Sequence, residues 1–356
     1  MGIDVAVAAP KGSVLVKKCR DAGVQTLDDV HFSKGFRPVN FCHDVRSIKS
    51  FIVANRINVL HTHGAQDTWS GAVAAARCPK RSRPAVVRTR HNTFPVRYSA
   101  VNRFLYRWLI DRLIIVSDSV MERYAKFIES GIIMQNHVST IHSCIRVEQF
   151  DPEGMDREET RVALDIPRDA PVIVVAARLA REKGHKFLLE AVASLRTEFP
   201  DVFVLLAGEG NQESSLKALT RELGLSDNVR FLGFREDVPR VLAAADVSVL
   251  PSIDCDASSA SIKEAMAMQL PVVATRIGGA AEIIDDEADG LIVLPGDASA
   301  LAGAIRRLLR DPALRSRMGL AGRSKVINRF TERKLATDTL TVYRKMMEPE
   351  SVKAIH

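Results

Sequence analysis

Residues 251–290 read PSIDCDASSASIKEAMAMQLPVVATRIGGAAEIIDDEADG, and their order decides the fold. VSVLPS (247–252) is an apolar run stopped by proline and serine. A polar loop follows, a helix begins near Ser258 or Ser259 with SIKEAMAM, and PVVATRIGG is a second apolar run closed by two glycines. This is one β-α-β unit, and such sheets bind ligands beyond the carboxyl ends of their strands. Asp256 sits in the loop and Glu264 about two turns into the helix, so both carboxylates can face one crevice. Backbone N–H groups at the helix start favour phosphate, while a carboxylate deeper along accepts hydrogen bonds from sugar hydroxyls. For Glu264 alone an ordinary solvated glutamate is the alternative. The sequence of strand, polar loop, helix, strand, Gly278-Gly279 and Glu282 weighs against it.

The alternation continues on both sides. PVIVVAARL (171–179), VFVLLAGEG (202–210) and NVRFLGF (228–234) read as strands, separated by helices at 184–199 and 213–224; LIVLPG (291–296) precedes a helix at 299–310. Nearer the start, GIDVAVAAP (2–10) is a strand and KGSVLVKKCRDAG (11–23) a helix stopped by Gly23. Residues 37–57 give a strand and a helix. NVLHTHG (58–64), AVVRTRHN (85–92) and LIIVSDS (113–119) are strands, with helices at 70–78 and 102–112 between them. Alternation of this kind implies parallel sheets covered by helices on both faces. The charged helical segment 158–170 follows a Pro/Gly connector. We therefore expect a first domain over 1–148, a second over 149–328, and a C-terminal amphipathic helix within 329–356 that packs back toward the first.

Composition narrows the class. The 356 residues suffice for two cores, and 46% hydrophobic with 26% charged content is that of a globular protein. A net charge of +7 suits anionic partners, among them phosphorylated sugars, nucleotides and an anionic membrane face. Nucleic acid is disfavoured, because aromatic content is 6% and no basic and aromatic residues interleave as a stacking platform. Five scattered cysteines without a C-x-x-C pair read as reduced thiols, not as a zinc or disulfide framework. No apolar run approaches the roughly 18 residues that span a bilayer, and no secretory leader opens the sequence, so the expected location is cytoplasmic.

Other motifs carry chemistry. AARLAREKG places Arg178 at a strand end and Lys183 just before a helix, two cations suited to a diphosphate whose charge grows as a leaving group departs. A solvated charged loop is the alternative. His91 ends a buried strand beside Arg88 and Arg90, where imidazole can donate to a sugar hydroxyl or serve a structural role. His61 and His63 alternate along a strand and share a face; without a third ligand at a recognisable spacing they line a polar site and hold no metal. Asp254-Cys255-Asp256 spells Asp-x-Asp, a pattern that can hold a divalent ion, yet Asp256 is better explained by its partner Glu264. The segment NRFLYRWLIDR has basic and aromatic residues around an apolar stripe, which suits either an anionic membrane surface or the core.

Together HTHG, RTRHN, IIVSDS, TIHSCIRVEQFDP, AARLAREKG, LLAGEG, VRFLGF, AAADVSVLPS, KEAMAMQLPVVAT and GGAAEII resemble the retaining glycosyltransferases of family 4 over nearly the whole chain. The resemblance implies a GT-B fold of two facing Rossmann-like domains around a cleft. It implies transfer from a nucleotide-diphosphate sugar, without a metal, to a glycan or glycolipid hydroxyl, with the anomeric configuration retained. A role in cell-surface glycan assembly such as lipopolysaccharide or capsule follows from it. On this resemblance, Arg178 and Lys183 hold the donor diphosphate, Glu264 the ribose, Asp256 faces the reacting centre, and His91 lies near the transferring sugar. Gly208, Glu209, Gly210 and Phe234 edge the nucleotide pocket, Gly278, Gly279 and Glu282 floor it, and Ser258 and Ser259 lie at its helix start. Two departures stand out. Asp256-Ala257-Ser258-Ser259 replaces the usual Glu-Gly-Phe-Gly, and the family's opening strand, Gly-Gly loop and helix are missing, so we expect a chain that starts late. A catalytically weak nucleotide-sugar-binding protein and a GT-B epimerase are the competing expectations.

Overall fold

The computed structural model describes residues 2–254 and 256–348; Cys255, with the central position of Asp-x-Asp, and residues 349–356 lie outside them. The larger sheet contains β7 (Val172–Ala176), β8 (Phe203–Ala207), β9 (Val229–Gly233), β10 (Val247–Leu250), β11 (Val272–Thr275) and β12 (Gly290–Val293). All are parallel, in the order β12-β11-β10-β7-β8-β9. Helices cover both faces, which explains why VIVVA and FVLLA are unbroken apolar runs. One core packs Val172, Val174 and Leu205 beneath Ile262, Met266 and Phe330. The other packs Ile173, Val175 and Leu206 beneath Leu188, Val192 and Ile305.

The first half holds β1 (Ala6–Ala8) paired with β2 (Gln25–Leu27), and a parallel four-stranded sheet of β3 (Val59–Thr62), β4 (Ala85–Arg90), β5 (Arg112–Ile115) and β6 (Val138–Thr140) in chain order. The architecture is α/β, with two Rossmann-like halves of parallel sheet. The chain crosses between halves twice, and the crossings touch: Ile145 N–H donates to the Phe330 carbonyl at 3.0 Å. After that second crossing, helix Glu332–Met347 lies on the first sheet, with Val342 and Met346 against Val87, Ile114 and Ile141.

Two local expectations need correction. Residues 37–57 hold no strand: Pro38 takes the first position of helix Pro38–Ala54, where its missing N–H costs nothing, and the strand instead forms at Gln25–Leu27. The helix expected over 102–112 is Ala100–Phe104 continued by a wider π turn, Leu105–Leu109. A further long helix, Pro312–Arg329, follows the one expected over 299–310.

Candidate active site

The chain leaves β7 toward β8 and β9, then reaches β10 and runs the opposite way to β11 and β12. The loops after β7 and β10 therefore diverge at a topological switch, the place where a crevice opens in such sheets. Lys183 and Asp256 meet there: Lys183 Nζ donates to Asp256 Oδ2 at 2.9 Å, with both side chains mostly buried. Glycine allows the approach. Gly184 follows the turn Arg181–Lys183 at φ +68°, and a Cβ on it would fall 1.9 Å from the Pro251 carbonyl oxygen. Gly278, at φ +56°, would place a Cβ 1.7 Å from the Asp256 carbonyl oxygen, so only glycine lets the turn after β11 slide beneath that loop. Arg178 is exposed on the same loop as Lys183 and donates to Glu182 Oε1 at 2.5 Å.

Ser259 caps helix Ala260–Ala267 by accepting from the Ile262 N–H. Glu264, one turn in, is half-buried, and burial pushes its carboxyl above the usual range. Among the described residues nothing donates to it. It opens on a cleft of about 760 Å³ lined also by Gln149, Phe150, Met155, Glu236 and Val238. The Gly208-Glu209-Gly210 turn presses on the backbone of Ala177 and Leu179, and Glu209 Oε1 accepts from the Phe234 N–H at 3.3 Å. The Phe234 ring is exposed.

Across the molecule, β3 and β4 end in a histidine cluster. His63 Nδ1 and His91 Nε2 are 2.9 Å apart with rings stacked, and the His61 ring stacks on His63 at 4.4 Å. The hydroxyls of Tyr343 and Thr89 lie 2.5 and 2.6 Å from the two His61 nitrogens. Burial drives the pKa of His61 down to about 3, with the neighbouring imidazoles adding to the effect; burial also lowers His63 and His91. The three rings are neutral hydrogen-bonding groups near neutral pH.

Residues at and beside the assigned pocket floor also join the two halves. Glu282 accepts from the backbone N–H groups of Asp118 and Ser119, at 2.7 and 3.1 Å, tying the second half to the end of β5. Ala257 sits in the apolar cluster of the first half beside Tyr106, Tyr124 and Phe127. Ser258 faces the crossing, 3.0 Å from Ser143 Oγ. Lys263, which sequence reading passed over, is fully buried and donates to the Ser143 carbonyl, Ser143 Oγ and Ser258 Oγ at 2.6, 2.7 and 3.0 Å. Its ammonium lies 5.4 Å from the Phe330 ring centre. Burial pulls its pKa down to about 8. A lysine on the apolar face of IKEAMAM was the available signal. The histidine cluster belongs to the first half and the Lys183–Asp256 pair to the second, and this seam joins the two.

Residues 1–149 match the profile described as Glycosyltransferase Family 4, and residues 156–325 match Glycosyl transferases group 1. The chain belongs to the family 4, group 1 glycosyltransferases. Among curated relatives, it is 38% identical over 192 residues to the lipopolysaccharide core biosynthesis glycosyltransferase LpsE of Rhizobium meliloti, covering 54% of this chain and 55% of that one. It is 28% identical over 319 residues to the putative glycosyltransferase EpsD of Bacillus subtilis, covering 86% of this chain and 81% of that one. The matched stretch thus spans about half of LpsE and four-fifths of EpsD. A glycosyltransferase from Rickettsia africae ESF-5 superposes with a TM-score of 0.84 at 22% identity, covering 97% of this chain and 90% of that one. Anabaena HepE in complex with UDP superposes at 0.79 and 18%, covering 96% and 92%. These two likenesses concern the fold.

Proposed function

We propose that the chain is a retaining glycosyltransferase that moves a sugar from a nucleotide-diphosphate donor to a hydroxyl acceptor in cell-surface glycan assembly. The observation that carries the reading is the meeting of Lys183 and Asp256 at the switch between β7 and β10, with Glu264 free to accept on the same helix unit. A diphosphate entering there finds the Lys183 ammonium and, once it leaves Glu182, the Arg178 guanidinium. Both stabilise charge that grows on the leaving group, so the reading needs no metal for that task. Glu264 suits ribose hydroxyls. His91, neutral and held by His63, suits a hydroxyl of the transferring sugar.

Retention is written as front-face substitution. The acceptor oxygen bonds to the anomeric carbon on the face from which the diphosphate departs, the carbon–phosphate-oxygen bond breaks, and the acceptor proton passes to the leaving oxygen. The surface-glycan assignment draws on the relative named for lipopolysaccharide core biosynthesis.

Calorimetric titration with UDP, GDP and ADP, each with and without chelator, tests the donor site first. Saturable binding of one nucleotide that persists under chelation is expected, and loss on chelation would overturn metal independence. A folded chain that binds none of the three would overturn the donor-site reading. With the nucleotide known, acceptor-dependent product of retained anomeric configuration, read by NMR, separates transfer from mere binding; an inverted product would overturn the mechanism.

A further inference from the structure

The positive charge of this chain is not spread over it. Residues 68–110 contain nine Lys or Arg and no Asp or Glu, leaving 41 cations against 43 acidic residues in the rest. Two of the nine, Arg88 and Arg90, run along β4 into the histidine cluster. The other seven are exposed, and none of them forms an ion pair among the described residues. Apart from Arg83, which acts on the Asp111 carboxylate, a run of cations outside any ion pair is a strong local field.

The same segment exposes its largest apolar side chains. Val101, Phe104 and Trp108, spaced three and four residues apart on Ala100–Phe104 and the π turn, are 62%, 54% and 62% exposed. Phe94 and Tyr98 stand exposed on the preceding loop. The opposite side of that helical stretch is anchored: Leu105 and Leu109 are buried against Ala72, Ala75 and Val86. The guanidinium of Arg107 lies 5.6 Å from the Trp108 ring centre, that of Arg103 5.5 Å from the Tyr98 ring centre, and Arg83 donates to the Trp108 carbonyl at 3.4 Å. Basic and apolar groups are thus interleaved on one surface. An exposed tryptophan beside an exposed phenylalanine carries an energetic cost in water that a soluble face has no reason to bear.

We infer that this face docks on an anionic lipid bilayer, with Val101, Phe104 and Trp108 entering the boundary between headgroups and acyl chains and the arginines resting on lipid phosphates. The pattern favours a bilayer over a second copy of the chain, because two such faces would bring seven like charges against seven. It favours a bilayer over nucleic acid, because the apolar side chains include the aliphatic Val101, which offers a base no stacking surface. The docked face is also continuous with the acceptor side. Tyr106, between the exposed Phe104 and Trp108, is buried with the Arg88 guanidinium 5.5 Å from its ring centre, and the strand of Arg88 ends beside His91. An acceptor held in the same membrane would arrive at that strand end. The inference stands apart from the transferase reading, since lipid binding requires no sugar.

Co-sedimentation of the intact chain with sucrose-loaded vesicles tests it. Vesicles of phosphatidylcholine with about one-third phosphatidylglycerol should pellet the protein, phosphatidylcholine alone should not, and salt should weaken the binding. A Phe104→Ser, Trp108→Ser double variant should lower partition at least about tenfold. Its melting temperature should match that of the parent, because both side chains are already in water. In a Trp69→Phe background, Trp108 emission should shift to the blue on adding anionic vesicles. No pelleting with anionic vesicles, or equal pelleting of the double variant, would overturn the inference. A dimer that the double variant abolishes, without vesicle binding by the parent, would assign the face to a second copy and overturn it as well.

Discussion

The two halves of the molecule solve opposite electrostatic problems. On the second half, the switch point is charged: a lysine and an aspartate face each other 2.9 Å apart, and an exposed arginine waits on the same loop. On the first half, burial lowers three closely packed imidazoles, with the neighbouring rings adding to the effect at His61 and His91, and keeps them neutral. A diphosphate gains charge as its bond to sugar breaks, so its binding site requires fixed cations. A sugar hydroxyl gains little, and donors and acceptors of neutral character suffice. Under the proposed function, the difference assigns charge development to one half and hydroxyl recognition to the other.

The largest expected effect tests that division directly. Lys183→Ala removes a cation from the departing phosphate, and turnover should fall about 10²–10³-fold, or roughly 3–4 kcal/mol of transition-state stabilisation. His91→Ala removes a neutral hydrogen-bonding group and should cost less, about tenfold to a hundredfold. Steady-state rates with the nucleotide sugar chosen by titration decide. If the histidine variant loses more than the lysine variant, the division of labour is reversed and the donor-site assignment fails with it.

How much of this was legible in the residues depends on range. The buried strands announced themselves, because VIVVA and FVLLA must be covered on both faces; the loop after β7 carried Lys183, and the loop and helix after β10 carried Asp256 and Glu264. QTL was missed because three residues with one exposed carry too little pattern to stand out, and RPVNF misled because a proline that opens a helix also resembles a strand edge. Contacts across the seam left no local trace. Glu282 reaches Asp118 over 164 residues of chain and Lys263 reaches Ser143 over 120, so composition and spacing could nominate the side chains without revealing that they join the halves.

The neutral histidines make a second prediction, on pH. An unfolded imidazole binds its proton near pH 6.5 and His61 in the fold only near 3, so the unfolded state holds more protons through that window. Stability present above pH 6.5 is therefore lost as pH falls. Between pH 7 and 5 the loss from His61 should be roughly 1–2 kcal/mol after allowing for its partial exposure. His61→Asn keeps hydrogen-bonding capacity toward Tyr343 and Thr89 without titrating. Urea midpoints at the two pH values should drop less in this variant; an equal drop would mean that His61 titrates normally and that the cluster is not neutral by burial.

The smallest effect belongs to the seam and has its window at the other end of the pH scale. Lys263 binds its proton near pH 8 in the fold, against about 10.5 when unfolded, so the fold bears the cost of a buried ammonium below pH 8 and sheds it as pH rises toward 10.5. Lys263→Met keeps the length and apolar stem, and the two serine hydroxyls that the ammonium bridges are close enough to pair with each other at 3.0 Å. The variant has nothing to titrate there. The stability of the parent minus that of the variant should therefore grow between pH 7.5 and 9.5 by about 1 kcal/mol, read from urea midpoints at fixed ionic strength. A flat difference would mean the ammonium is solvated and the halves can part freely at Ser143. A growing one makes Lys263 a buried cation that the halves share, and places the electrostatic cost of holding them together on the same helix that carries Glu264.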